Sequence, residues 1–211
     1  MIGNLALVVG AYLLGSVPTG LTLGRMVAGV DVRSVGSHRT GATNVQRALG
    51  TRAGAVVLLL DFGKGFVAVV AVRAITGNDY VAAIAGLAAV IGHVWPVFAG
   101  FRGGRGVATA AGVLAAFAPW ALLITLALMI ITVAVTRYVS LGSIVAVATA
   151  PVLVALLWGH VSPDGDAGLL AAVLVGALIL AKHADNLHRL LHGTESKLGQ
   201  RSTSGKSETP T

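Results

Sequence analysis

The sequence predicts an all-α, polytopic membrane protein: seven transmembrane helices with a short fourth helix, N-terminus outside, C-terminus cytoplasmic. Three observations carry that prediction. Of 211 residues, 55 % are hydrophobic and only 11 % charged, against about 25 % charged in an ordinary soluble domain. The apolar residues run in long unbroken stretches, whereas a transmembrane barrel shows ~10-residue alternating segments. Lys and Arg gather in a few short segments between those stretches.

A mean hydropathy of +0.85 excludes an ordinary soluble enzyme, because a chain this size has too much surface to hide so much apolar area. It also excludes a disordered or collagen-like chain. There are no cysteines, which removes disulfides, thiolate metal sites and Cys nucleophiles. Net charge is +7. In a membrane protein the positive-inside rule explains it first and anionic substrates second, and no nucleic acid is expected. No basic residue precedes the first apolar run, and Arg25 follows it. That predicts a first span that is kept and not cleaved as a signal peptide.

The apolar stretches run roughly over 2–24, 53–73, 80–99, 107–136, 141–159 and 167–181. About 20 residues cross the hydrocarbon, so 107–136 is too long for one upright span. Pro119 breaks it near the middle. Basic residues group at Arg25–Arg52, Arg102–Arg105, Arg137 and Lys182–Lys206, which together hold 13 of the 15 Lys and Arg; Lys64 and Arg73 stand apart. A single crossing by 107–136 would put Arg137 and the basic tail outside. Two crossings, a short helix at 107–117 and a fifth from Pro119, put all four groups inside, with acidic Asp164 and Asp166 outside. Residues 1–198 form one integral membrane catalytic domain in this reading, and 199–211 a disordered cytoplasmic tail.

The first basic loop, Asp31 to Arg47, is rich in Gly, Ser, Thr and Asn. Thr43-Asn44 followed by Val45-Gln-Arg-Ala-Leu reads as a cap and a short helix, and such an N-terminus beside arginines binds phosphate well. A loop that only sets topology fits equally. The third basic loop, Gly100-Phe-Arg-Gly-Gly-Arg-Gly106, holds four glycines in seven residues, which lets backbone approach a ligand. It lacks the GK[ST] ending of a nucleotide-hydrolysing loop.

Gly15-Ser16-Val-Pro18 in the first span reads as a packed kink. Asp61 and Lys64, three apart in the second span, predict a buried ion pair; whether Lys64 also meets substrate stays open. His93, in Gly92-His-Val-Trp-Pro96, precedes the arginine loop, and Ser140 follows Arg137. His183 and Asn186 share a helix face. Every polar cluster of note thus lies at one membrane face. There is no H-E-x-x-H, no G-x-S-x-G and no good carboxylate set, so neither metal nor cofactor is expected.

These residues match a known pattern. Tyr12-Leu-Leu-Gly-Ser-Val-Pro18, Gly41-Ala-Thr-Asn-Val45, Leu60-Asp-Phe-Gly-Lys-Gly65, Gly92-His-Val-Trp-Pro96, Gly103-Gly-Arg-Gly-Val-Ala-Thr109, Arg137-Tyr-Val-Ser140 and Asn186-Leu-His-Arg-Leu-Leu191 with Gly193-Thr-Glu195 resemble, in order and spacing, the bacterial acyl-phosphate-dependent glycerol-3-phosphate acyltransferases. The resemblance implies a multi-pass protein of the bacterial plasma (inner) membrane with its active site facing the cytoplasm. It implies transfer of a fatty acyl group from acyl phosphate to the 1-hydroxyl of sn-glycerol 3-phosphate, giving lysophosphatidate and phosphate, the first step of phospholipid biosynthesis. The two substrates and membrane lipid are the expected partners, and a monomer the expected state. Arg47, Arg105, Ser140, His183 and Asn186 are expected to be catalytic. Ser37, Thr43, Asn44, Lys64, His93, Arg102, Gly103, Gly104 and Gly106 are expected to bind substrate, the glycine backbone cradling the acyl phosphate. The family's usual Ser-Gly-Asn reads Ser37-His38-Arg39 here, which leaves the shape of that loop open, and its Gly-Gly-Lys-Gly lysine is Arg105. A transporter of a phosphorylated anion is the alternative, disfavoured because the polar residues cluster at one face and no inverted repeat is visible.

Overall fold

The computed structural model describes residues 2–158 and 165–199. Every regular element in them is helical. α1 (Ile2–Ser16) and α2 (Thr19–Ala28) are separated at Val17-Pro18, followed by α3 (Ala42–Leu49), α4 (Thr51–Thr76), α5 (Asp79–Val94), α6 (Val107–Phe117), α7 (Pro119–Thr136), α8 (Val139–Trp158), α9 (Gly165–Lys182) and α10 (Ala184–Leu191). Asp164 of the expected outer loop, and the expected tail beyond Gly199, lie outside the described residues.

Five segments are long and apolar enough to cross a membrane: Ile2–Ala28, Thr51–Thr76, Asp79–Ala99, Pro119–Thr136 and Val139–Leu157. α9 with α10, bent by 54°, gives a sixth, and α6 is a shorter apolar helix. The long 107–136 stretch divides at Ala118, where Pro119 takes the first position of α7. Proline fits there because it has no N–H to leave unpaired and its φ is already helical. Trp120, Ile130, Ile131 and Val135 stand exposed on α7. Water disfavours so large an apolar face, but hydrocarbon accepts it, as befits a multi-pass membrane protein.

α5 is the hub, packed against α1, α4, α6 and α9. Its small residues, Ala82, Ala83, Ala85, Gly86, Ala88, Ala89 and Gly92, are all buried. Helices in lipid gain most by close backbone approach, which small side chains permit. Two crossings show it reciprocally. A Cβ on Gly15 of α1 would strike the Ala89 carbonyl of α5, and one on Gly92 the Tyr12 carbonyl of α1. A Cβ on Gly65 would likewise strike the Thr109 carbonyl, and one on Gly112 the Phe62 carbonyl, where α4 crosses α6. Gly112→Val should therefore force α4 and α6 apart. The overpacking should cost about 1–3 kcal/mol and lower the melting temperature in detergent; an unchanged melting curve would refute this packing.

The two cations that stood apart in the sequence are both absorbed by structure. Arg73 pairs with Asp79, donates to the Ala116 carbonyl and lies 4.6 Å over the Phe117 ring. It thereby places a positive charge at the C-terminal, negative end of α6. Lys64 Nζ sits 2.7 Å from Asp61 Oδ1 and donates to the Val17 carbonyl at 2.7 Å.

Candidate active site

One end of the bundle holds a cleft of about 570 Å³. The first loop and α3 supply Ser37, His38, Arg39, Thr43, Asn44 and Arg47, the start of α6 supplies Arg105 to Ala108, α8 supplies Ser140 and Ser143, and the α9–α10 junction and the segment beyond supply His183, Asp185, Asn186, Arg189 and Glu195. α6 and α7 lie between the Arg105–Ala108 and Val139–Ser143 parts of the cleft wall, and Ala111, Leu126 and Met129 of those helices line it too.

The first loop is built by local hydrogen bonds. Asp31 accepts from the Arg33 backbone N–H at 2.9 Å and from its guanidinium at 2.8 Å, and Arg33 donates onward to the Ala99 carbonyl at 3.0 Å. The Arg33 side chain holds the Asp31 carboxyl well below the usual carboxylate range. Asn44 is buried and organises the loop. Its Oδ1 accepts from Ser37 N–H, and its two amide hydrogens go to the carbonyls of Val32 (2.7 Å) and Arg39 (2.8 Å). Both amide hydrogens are thus used within the protein, and Asn44 shapes the loop from the cleft wall. The His38-Arg39 replacement keeps a tight turn. His38 takes φ +56°, a left-handed conformation that glycine adopts freely, and its ring Nδ1 meets the Arg33 carbonyl at 2.9 Å. Gly41, Ala42 and Thr43 at the N-terminus of α3 line the cleft, and no side chain caps that end.

The glycine loop departs from expectation. A Cβ on Gly103 would strike the His93 carbonyl, and one on Gly104 the His93 Nε2. Both are glycine to pack on His93 and neither lines the cleft; of the loop backbone, Gly106, at φ +86°, does. His93 reaches the cleft wall, with its Nδ1 facing Asp61 at 3.5 Å and its Nε2 packed against Gly104. Lys64 lies outside the lining, held by Asp61 and Val17. Arg102 is exposed and also outside it. Of the residues expected to bind substrate, Asn44 and His93 line the cleft, whereas Lys64, Arg102, Gly103 and Gly104 lie outside its lining.

The remaining expected residues converge. Arg105 is largely buried, and its Nε has no partner. Burial first, then the neighbouring Arg39 charge, pulls its pKa down to about 10, so it stays cationic at neutral pH. Asn186 Oδ1 is also buried without a hydrogen-bond partner, and Ser140 Oγ has only the nearby Glu195 carboxylate. Buried polar groups are almost always paired, so a donor and an acceptor left open in one cleft mark a place for a polar ligand.

His183 is the residue at which α9 bends into α10. Its N–H bonds the Leu180 carbonyl, and its ring Nδ1 takes the Ile179 carbonyl thus left over, at 2.9 Å. A carbonyl only accepts, so Nδ1 carries the proton and Nε2 holds the free lone pair. Burial, reinforced by the Arg105 and Arg39 charges, lowers its pKa to about 4. An unfolded chain protonates this imidazole below 6.5, whereas the folded chain resists until about 4. Its contribution to stability is complete above pH 6.5 and is lost as pH falls towards 4. The His183 resonance, identified by its loss in His183→Gln, should titrate near pH 4 in NMR of labelled protein; titration near 6.5 would overturn its placement.

Sequence reasoning missed Glu195, Arg39, Asp185 and Arg189. Glu195 accepts from Asn186 Nδ2 and Arg189 Nε, each at 2.7 Å. Burial alone raises its pKa, but the adjacent Ser140 hydroxyl and these bonds outweigh that and hold it below its ordinary value. It reaches the cleft because Leu198 pairs with Arg137, N–H to carbonyl at 2.7 Å and guanidinium to carbonyl at 2.8 Å. Its one sequence signal was the Gly193-Thr-Glu195 string. A second, apolar cavity of about 80 Å³ lies between α6, α7, α8 and α9, and Val107, Ala111, Leu126 and Met129 line both it and the cleft.

An arginine-lined cleft in a bundle of apolar, membrane-length helices defines an integral membrane protein whose cleft suits an anionic ligand. The chain belongs to the glycerol-3-phosphate acyltransferase family, which it matches over residues 5–193. A glycerol-3-phosphate acyltransferase of Trichlorobacter lovleyi is 46 % identical over 197 residues, covering 93 % of this chain and 98 % of the relative. That of Halalkalibacterium halodurans is 44 % identical over 200 residues, covering 92 % and 95 %. The crystal structure of PlsY (YgiH), described as an integral membrane glycerol 3-phosphate acyltransferase in its glycerol 3-phosphate form, superposes with a TM-score of 0.84 at 43 % identity, covering 93 % of this chain and 96 % of that one.

Proposed function

We propose that this protein transfers a fatty acyl group from acyl phosphate to the 1-hydroxyl of sn-glycerol 3-phosphate, releasing phosphate and 1-acyl-sn-glycerol 3-phosphate. The observation that carries the reading is the two unpaired buried groups, Arg105 Nε and Asn186 Oδ1, in a cleft lined by four arginines that shares Val107, Ala111, Leu126 and Met129 with an apolar cavity. A phosphate group carries about −1.5 to −2 charge near neutral pH, and two of them repel unless cations lie between. Arg47 and Arg105, with Ser37 and Ser140, hold the phosphate of glycerol 3-phosphate, while Thr43, the first turn of α3 and Gly106 hold the acyl phosphate. The acyl chain leaves the cleft past Val107, Ala111, Leu126 and Met129 into the apolar cavity.

Acyl phosphate is a mixed anhydride with a good leaving group, so orientation and charge stabilisation suffice, without a covalent acyl-enzyme. The glycerol hydroxyl oxygen attacks the acyl carbon, the carbon–oxygen bond to phosphate breaks, and phosphate departs with that electron pair. Asn186 Oδ1 and His183 Nε2, both acceptors, align the hydroxyl. A substrate phosphate oxygen, whose second pKa of about 6 suits a base near neutral pH, takes the proton, and His183 orients the hydroxyl.

In this reading α6 crosses with α7 as an out-and-back pair, giving seven spans. The N-terminus is outside, and the cleft faces the cytoplasm of the bacterial plasma membrane, which keeps the basic loops inside. Purified protein given palmitoyl phosphate and glycerol 3-phosphate should release phosphate and form lysophosphatidate, and acyl-CoA in place of palmitoyl phosphate should give no product. Failure with palmitoyl phosphate, or equal use of acyl-CoA, would overturn the donor assignment.

A further inference from the structure

Arg39 stands at the mouth of the cleft with only a loose partner. Its Nη2 lies 3.5 Å from Asp185 Oδ2, in a pair whose side chains are 27 % and 70 % exposed. Both line the cleft, Arg39 from the first loop and Asp185 from the first turn of α10. The backbone beneath Arg39 is fixed on every side. The Arg39 carbonyl accepts from Asn44, Thr40 is buried with its carbonyl wedged against Gly20, and His38 is tied to Arg33. The side chain therefore swings from an anchored Cα. Arg39, Arg105 and His183 line the same cleft.

An exposed ion pair of this kind is worth little, with a median near 0–1 kcal/mol. A phosphate group offers more charge than a carboxylate and three acceptor oxygens, which suits the guanidinium fork. Asp185 has a second favourable contact, since a carboxylate in the first turn of a helix is stabilised there without any partner. Both halves of the pair thus lose little on separating.

We infer that Arg39 is a further phosphate-binding residue, parked on Asp185 while the cleft is empty and transferred to the phosphate of an entering substrate. The inference rests on the acyltransferase reading above and goes beyond it, because it makes Asp185 a competitor of substrate. Two sources of the phosphate are possible, glycerol 3-phosphate and acyl phosphate, and varying each in turn with the other saturating separates them.

Arg39→Gln should raise KM about tenfold for one of the two substrates, with kcat changed less than threefold. Asp185→Asn should lower that KM a few-fold, because the competitor is gone. In the Arg39→Gln background, Asp185→Asn should have no further effect. Arg39→Lys, which keeps the charge without the fork, should fall between wild type and Arg39→Gln, and it provides the test if Arg39→Gln folds poorly by detergent melting. Unchanged KM values in Arg39→Gln would overturn the inference. So would an Asp185→Asn enzyme impaired as badly as Arg39→Gln, since the pair would then be a fixed strut. A wild-type protein that turns over neither substrate pair would refute the acyltransferase reading itself, an outcome distinct from either.

Discussion

Arg105→Ala should lower kcat/KM for glycerol 3-phosphate by about 10²–10³-fold, the usual cost of removing one preorganised electrostatic contact from an active site, with melting in detergent little changed. Arg105 is the most buried arginine of the cleft wall, follows the glycines that pack on His93, and has a side-chain Nε–H without a partner in the protein. Folding alone would not select such a group, because burial of an unpaired donor costs about 1–3 kcal/mol. A ligand that supplies the missing acceptor returns that cost on binding. Removing Arg105 should therefore relieve the empty protein and penalise the loaded one. Arg105→Lys should retain most activity, since it keeps the charge and loses only bidentate geometry. Steady-state kinetics with each substrate varied would check this, and normal turnover with a normal KM for glycerol 3-phosphate in Arg105→Ala would refute the assignment.

The residues of the cleft divide by what sequence can carry. Arg47, His183 and Asn186 were legible as polar side chains beside apolar runs, helix periodicity put His183 and Asn186 on one face, and the family resemblance supplied their expected roles together with that of Ser140. The division of 107–136 was legible from Pro119 and from where the positive charges fell. Partner choice was not. Gly103 and Gly104 have the composition of a phosphate cradle, yet their neighbour is His93, set by how α5 meets the loop. Asn44 has the right side chain for a ligand, yet two carbonyls of its own loop use its hydrogens. Glu195 and Arg39 entered the site through contacts distant in the chain, Leu198 with Arg137 and Arg39 with Asp185. No local pattern encodes such pairings.

Lys64→Met should destabilise the protein by about 3–5 kcal/mol, because it leaves a buried carboxylate without its countercharge. Asp61 is 1 % exposed and Lys64 6 %, within a span where lone charges are costly. The pair also serves a neighbour. The break between α1 and α2 at Val17-Pro18 frees a backbone carbonyl, which Lys64 satisfies, and Thr19 at the start of α2 donates to Asp61 at 2.6 Å. A proline break in a membrane helix survives only where nearby groups re-satisfy the backbone, so the ion pair in α4 and the kink in the first span are one device. Asp61→Leu alone should cost a comparable amount, stranding the ammonium. The double variant should cost at least ~2 kcal/mol less than the sum of the two, since no unpaired charge remains; what it still loses is the contacts to Val17 and Thr19. Unfolding in detergent across this cycle measures the coupling, and additive effects would show the pair to be incidental. Kinetics on the folded fraction separates this role from substrate binding. Lys64→Met should leave the KM for glycerol 3-phosphate within about twofold of wild type, whereas a raised KM with normal stability would return Lys64 to the substrate's first contacts.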